Sequence, residues 1–214
     1  MRGLREVNKI QNIYPCLQEL NLSRTNITGA EFLDAGMSKL EILAMDGCRN
    51  LTDDLLVRIL NITGGTLRGL DLARTNITGE AFCNLNVELK NLAGLRLDGC
   101  RNLKIDWIRL ALETALESLE TLDLSRTRIA GEGSKGLNMK LSKLVRLNLS
   151  YCRSLTLQGL QEILDVAEDH LEEIILDGTQ LSRSLILNWL KDHNPEFNAI
   201  TEEGNEWVTA IRRY

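Results

Sequence analysis

An α/β solenoid, with short parallel strands along one face and helices or turns along the other, is the fold class this sequence predicts. Three observations predict it. DGCRNL at 46–51 is written again letter for letter at 98–103, and RTNITG at 24–29 returns at 74–79. The pattern LxxLxL starts at Leu17, Leu40, Leu67, Leu92, Leu119, Leu144 and Leu171, giving spacings of 23, 27, 25, 27, 25 and 27 residues. The chain is 43% hydrophobic but only 4% aromatic, so its core is aliphatic. A repeat period between about 20 and 50 residues marks stacked units that cannot bury their apolar face alone.

The seven strings are LQELNLSRT, LEILAMDGC, LRGLDLART, LAGLRLDGC, LETLDLSRT, LVRLNLSYC and LEEIILDGT. Two types alternate, a long one reading LxxLxLxxCxxL and a short one reading LxxLxLxxTxI. The larger unit is therefore a pair, with starts at 17, 67, 119 and 171, or 50, 52 and 52 residues apart. Each LxxLxL reads as a strand whose leucines point to one side. In the long type the return segment reads as a helix. LTDDLLVRILNI puts Leu55, Leu56, Ile59 and Leu60 at helical spacing, with Asp53 near the start. Segments 105–117 and 156–168 repeat that pattern. The short-type returns, ITGAEF, ITGEAF and IAGEGS, carry glycines and predict a shorter helix.

The stretch 40–56, LEILAMDGCRNLTDDLL, closely resembles the cysteine-containing leucine-rich repeats of F-box/LRR substrate receptors, which run LxxLxLxxCxxLTDxxL. The repeats at 92 and 144 keep the cysteine but replace LTD with LKI and LTL. The interleaved T-x-I repeats resemble those of plant intracellular immune receptors. The resemblance covers 17–181 and implies a leucine-rich-repeat solenoid, or horseshoe, that binds a protein partner. It also implies that Cys48, Cys100 and Cys152 turn inward and cap backbone groups. Thr25, Thr75, Thr127 and Thr179 take the same place in the short type.

The repeat spacing bears on whether the cysteines do chemistry. Cys48, Cys100 and Cys152 recur at intervals of 52 residues, two strands and therefore about 10 Å apart. A disulfide needs Cα atoms within about 7 Å, and zinc needs thiolates about 2.3 Å from one centre. Cys83 reads as a buried apolar side chain and Cys16 as part of an incomplete first coil. Five cysteines without paired spacing suit reduced thiols, hence a cytoplasmic or nuclear location. His170 and His193 have no matched nucleophile motif, and no GxGxxG, GxxxxGK[ST] or HExxH occurs. The expectation is a non-catalytic chain with no cofactor and no metal.

A net charge of −5 argues against nucleic acid as the default partner. No apolar stretch approaches a membrane span, and the first residues lack a signal-peptide core. Six N-x-[ST] sequons, at Asn21, Asn26, Asn50, Asn61, Asn76 and Asn148, fall out of the repeat consensus and read as unused.

A partner is expected on the outward strand positions that form the concave face. The candidates are Arg24, Asp46, Asp71, Arg74, Arg96, Asp98, Asp123, Arg126, Asn148 and Tyr151. Two readings of the row Arg24–Asp46–Arg74–Asp98–Arg126 stand side by side. It is a self-satisfied cross-strand charge ladder, or its arginines are donors for an acidic partner segment. Tyr151 is the aromatic anchor on that row. The expected organisation is a partial N-terminal coil over 1–16, seven repeats over 17–181 and a helical cap over 182–214, with Trp189 and Trp207 packing that cap. The function expected is a protein–protein interaction scaffold or adaptor. The alternative is the recognition part of a ubiquitin-ligase or immune receptor. Neither the partner's identity nor an oligomeric state follows from the residues.

Overall fold

The structure, a computed structural model, describes residues 16–27, 37–104, 118–130, 141–167, 170–193, 197–200 and 209–212. Residues 1–15 of the N-terminal coil expected over 1–16, the helix over 105–117 and Trp207 lie outside them.

Each LxxLxL forms one three-residue strand: β1 Glu19–Asn21, β2 Ile42–Ala44, β3 Gly69–Asp71, β4 Gly94–Arg96, β5 Thr121–Asp123, β6 Arg146–Asn148 and β7 Glu173–Ile175. They pair in parallel and in chain order. The register places Leu20, Leu43, Leu70, Leu95, Leu122, Leu147 and Ile174 beside one another. Alternation along a strand then sends these residues inward and their neighbours outward. A slip by one residue would expose the whole leucine row, so the hydrophobic effect fixes the register. Around one coil Leu40, Leu43, Met45, Cys48 and Leu51 are at most 1% exposed.

On the other face, α1 Asp53–Thr63 buries Leu56, Ile59, Leu60 and Thr63, and Thr52 caps it by accepting from the Leu55 N–H at 3.4 Å. The short-type return at 80 gives a single turn, α2 Glu80–Cys83, with Ala81 and Phe82 buried. α3 Leu157–Ala167 follows Thr156, whose hydroxyl accepts the Gly159 N–H at 2.9 Å. α4 Arg183–His193 follows Ser182, which accepts the Leu185 N–H at 3.3 Å. Trp189 packs partly buried against the core. No helix among the described residues is long and apolar enough to cross a membrane.

Asp53 ties one coil to the next. Its carboxylate accepts from the Thr78, Gly79 and Ala81 amides at 2.8, 2.9 and 3.2 Å and from the Thr78 hydroxyl at 3.1 Å. The acidic residue of the LTD motif thus supplies acceptors to the first turn of α2 instead of its own helix.

The cap expected as helical over 182–214 is only partly so. After α4 come two antiparallel strands, β8 Phe197–Ile200 and β9 Thr209–Arg212, and β9 pairs antiparallel with β7. A parallel stack ends in an open strand edge, and hydrogen-bonding it requires another strand, which a helix cannot provide. The TAIR run at 209–212 supplies the strand.

Because Asp53 alone serves three amides of the next coil, Asp53→Ala should lower stability by about 2 kcal/mol in urea denaturation. Asp54→Ala, one residue on and exposed, should change it by less than about 0.5 kcal/mol.

Candidate partner-binding face

The residue that ends each strand segment adopts the left-handed region. Arg24, Arg74, Arg126 and Tyr151 have φ of 61, 55, 55 and 59°, and Gly47, Gly99 and Gly178 have 70, 68 and 62°. Left-handed backbone costs a non-glycine residue about 1–2 kcal/mol, so the side chains kept there call for an explanation. Part of it is geometric. A Cβ added to Gly47 or Gly99 would lie 3.4 or 3.2 Å from Cγ of Arg24 or Arg74, and one on Gly178 only 2.5 Å from the Tyr151 ring. Glycine in one coil makes room for the large side chain of the coil before it. The turn amides also extend the parallel ladder: Arg24, Gly47, Arg74, Gly99, Arg126 and Tyr151 each donate to a carbonyl of the following coil at 2.6–2.8 Å.

Inside the turn sit the repeat cysteines and threonines. Leu22 O accepts the Thr25 hydroxyl at 2.6 Å and the Cys48 thiol of the next coil at 3.1 Å. Leu72 O takes Thr75 and Cys100 at 2.7 and 3.0 Å, and Leu124 O takes Thr127 and Cys152 at 2.6 and 3.2 Å. Burial pushes the Cys100 and Cys152 thiols up, against hydrogen bonds from the neighbouring threonines that pull the other way. Both remain protonated donors. Thr179, in the last coil, has no side-chain hydrogen bond among the described residues. Cys83 is partly buried against the core, and burial raises its thiol as well. Among the described residues no group of His, Cys, Asp and Glu gathers to hold a metal.

The charged candidates pair selectively. Asp46 takes the Arg74 guanidinium of the next coil, with Nε at 2.8 Å, and holds it further in its charged form. Asp98 takes Arg126 Nη1 at 3.0 Å and the Ser125 hydroxyl at 3.0 Å. Arg96 lies among Asp71 at 3.1 Å, Asp98 at 3.6 Å and Asp123 at 3.7 Å. The row is therefore a set of discrete clusters and not a continuous ladder, because Asp46 and Asp98 pair with the arginine of the following coil and Arg24 has no such aspartate before it. Arg24, with no earlier aspartate, has no carboxylate partner among the described residues. Tyr151 is 38% exposed, lies under Arg126 at 5.2 Å and sits on Gly178, so both of its faces are engaged.

Asn21, Asp71, Asp123 and Asn148 have a structural task. Each accepts the amide two residues on, in Ser23, Ala73, Ser125 and Ser150, at 2.9–3.0 Å. These are Asx turns, and Asn or Asp two residues before the small residue of the turn was their sequence signal.

A second outward row was not picked out in the sequence: Glu19, Ile42, Gly69, Gly94, Thr121, Arg146 and Glu173. The period of two that places Asp71 outward does the same for Gly69, so strand parity was the available signal. Ile42 is 44% exposed, and Arg146 pairs with Glu173 across β6 and β7. Ile42, Gly69, Gly94, Thr121 and Arg96 line an open concavity of about 330 Å³ over the strands.

Residues 115–137 and 140–164 match the family described as Leucine Rich repeat. These stretches contain β5 and β6 of the same seven-strand stack. The fold is a leucine-rich-repeat solenoid. No curated protein matches the chain. A solved structure similar to it is the complex of Rad7 and Elc1 in yeast, at 18% identity and a TM-score of 0.46, covering 71% of this chain and 53% of that one. The chain thus spans about half the length of that protein. Leucine-rich-repeat solenoids are protein-interaction scaffolds.

Asp98 is only 2% exposed and is shared by Arg96, Arg126 and Ser125. Asp98→Ala should therefore cost about 2 kcal/mol in urea denaturation. Arg126→Ala should cost less than about 1 kcal/mol, since Arg126 is more than half exposed and Asp98 keeps its other donors.

Proposed function

We propose that the chain is a non-catalytic adaptor that works inside the cell and binds a protein partner on its concave face. The observation that carries this reading is the contrast between the two sides of one strand row. The inward position is leucine or isoleucine in all seven coils, whereas the outward position of β1 to β7 reads Glu, Ile, Gly, Gly, Thr, Arg and Glu. Folding demands the first series and leaves the second free, so its identity is available for recognition.

Arg74, Arg96 and Arg126 take part as members of the acid–base clusters with Asp46, Asp71, Asp98 and Asp123, presenting mixed charge. Arg24 is the spare donor on this face, and Asn148 and Tyr151 continue it toward the last coils. A second reading, recognition of a substrate or ligand within a ubiquitin-ligase or immune receptor, is favoured by the LxxLxLxxCxxLTDxxL match at 40–56.

The test is a pull-down from the source cell with wild type, Arg24→Glu/Arg146→Ala and the convex-face control Arg58→Glu, each checked for folding by circular dichroism. A partner lost with the concave variant and kept by the control is the expected result. A partner kept by the concave variant and lost by the control contradicts the assignment.

A further inference from the structure

Gly69 and Gly94 are register partners on adjacent strands, and both face outward in the middle of the concave row. Nothing in the fold requires glycine at Gly69, and at Gly94 only the Thr121 side chain crowds an added carbon. Neither has positive φ. A Cβ at Gly69 would meet nothing nearer than Ile42 Cγ1 at 3.7 Å, an ordinary contact. At Gly94 the nearest atom is Thr121 Oγ1 at 3.2 Å, the end of a side chain that rotates. Glycine within a strand costs about 0.5–1 kcal/mol relative to alanine, and β-branched residues are preferred there. Two neighbouring strands each carry that cost.

The result is a floor of bare peptide planes, where glycine in a strand marks close approach by another molecule. Exposed Ile42 walls one side and Thr121 the other, on strands whose backbones are three spacings or about 14 Å apart. Both side chains lie close to the glycines, so the gap between them takes a single flat ring. The edge of an aromatic ring is electropositive; Asp71, Arg96 and Asp123 stand in register at one end of the floor, with Arg96 paired to Asp71 at 3.1 Å. Asp123 Oδ1 accepts the Ser125 amide, while its Oδ2 has Arg96 at 3.7 Å, beyond hydrogen-bond distance. An acceptor is therefore left for a phenol O–H or indole N–H.

We infer that the β3–β4 floor seats a single aromatic side chain, tyrosine or tryptophan, presented by a partner protein segment, with the ring flat on Gly69 and Gly94 and its polar edge at Asp123. This rests on the concave face being the binding surface.

The experiment is amide NMR of the full chain titrated with N-acetyl-tryptophanamide and, separately, N-acetyl-leucinamide. The expected result is movement of the Gly69, Gly94, Ile42 and Thr121 amides with the aromatic probe, and about tenfold weaker response to the aliphatic one. Gly69→Leu should abolish the response. Gly69→Ala, whose added carbon meets only ordinary contacts, should keep the fold and weaken it. No movement up to the solubility of the aromatic probe, equal response to both probes, or an unchanged response in Gly69→Ala overturns the seat. If the seat fails while Arg24→Glu/Arg146→Ala still loses its partner, the concave face stands without it. If the seat fills while that variant keeps its partner, the broader reading falls instead.

Discussion

One buried carbonyl in every second coil takes two side-chain hydrogens, and the two-coil rhythm of the chain depends on it. Leu22 O, Leu72 O and Leu124 O lie inside the turn, away from water, where an unpaired acceptor costs about 1–3 kcal/mol. Each accepts its own coil's threonine hydroxyl and the next coil's cysteine thiol. Threonine places a hydroxyl within the turn it closes. Cysteine, smaller in polarity and larger in sulfur, reaches back across the coil boundary while packing as an apolar group. The alternation of T-x-I and C-x-x-L repeats is thus a pairing of neighbouring coils, and the 50- to 52-residue duplication is its unit.

With the coils stacked in one register, the outer surface follows. Turn residues repeat at the coil spacing, so Arg24, Arg74 and Tyr151 each lie against a glycine of the next coil, whereas Arg126 stacks on Tyr151 instead. Aspartates at the strand ends fall beside the arginines of the following coil. That geometry makes Arg74 and Arg126 partners of Asp46 and Asp98, and leaves Arg24 with no carboxylate among the described residues. The arginine row, read in the sequence either as an internal ladder or as donors for an acidic partner, has Arg74 and Arg126 paired from within. The glycine floor between Ile42 and Thr121 is, among the described residues, a part of the face that internal contacts leave open.

Much of the fold was legible because its signal is periodic. The leucine spacing gave the seven strands, their direction and their order, and the helical spacing after LTD gave α1. The C-terminal strands were not legible, since they answer a tertiary need, an open sheet edge, that appears only once the stack exists. The same holds for Asp53, which reads as an N-terminal acid of its own helix and instead serves the next coil. Among the candidate residues, Asp71, Asp123 and Asn148 form Asx turns that depend on backbone direction, which the repeat spacing does not carry. Gly69 and Gly94 passed unremarked because a missing side chain has no periodic signal.

The shared carbonyl is tested most directly by a double-mutant cycle on Thr75→Val and Cys100→Ala, with stability read from urea denaturation of the two single variants and the double. If Leu72 O accepts from both, either single change leaves it one donor, and only the double strands it. The double variant is then less stable than the sum of the singles by about 1 kcal/mol. Additive losses would contradict a shared acceptor and, with it, the pairing of coils as the physical origin of the repeat.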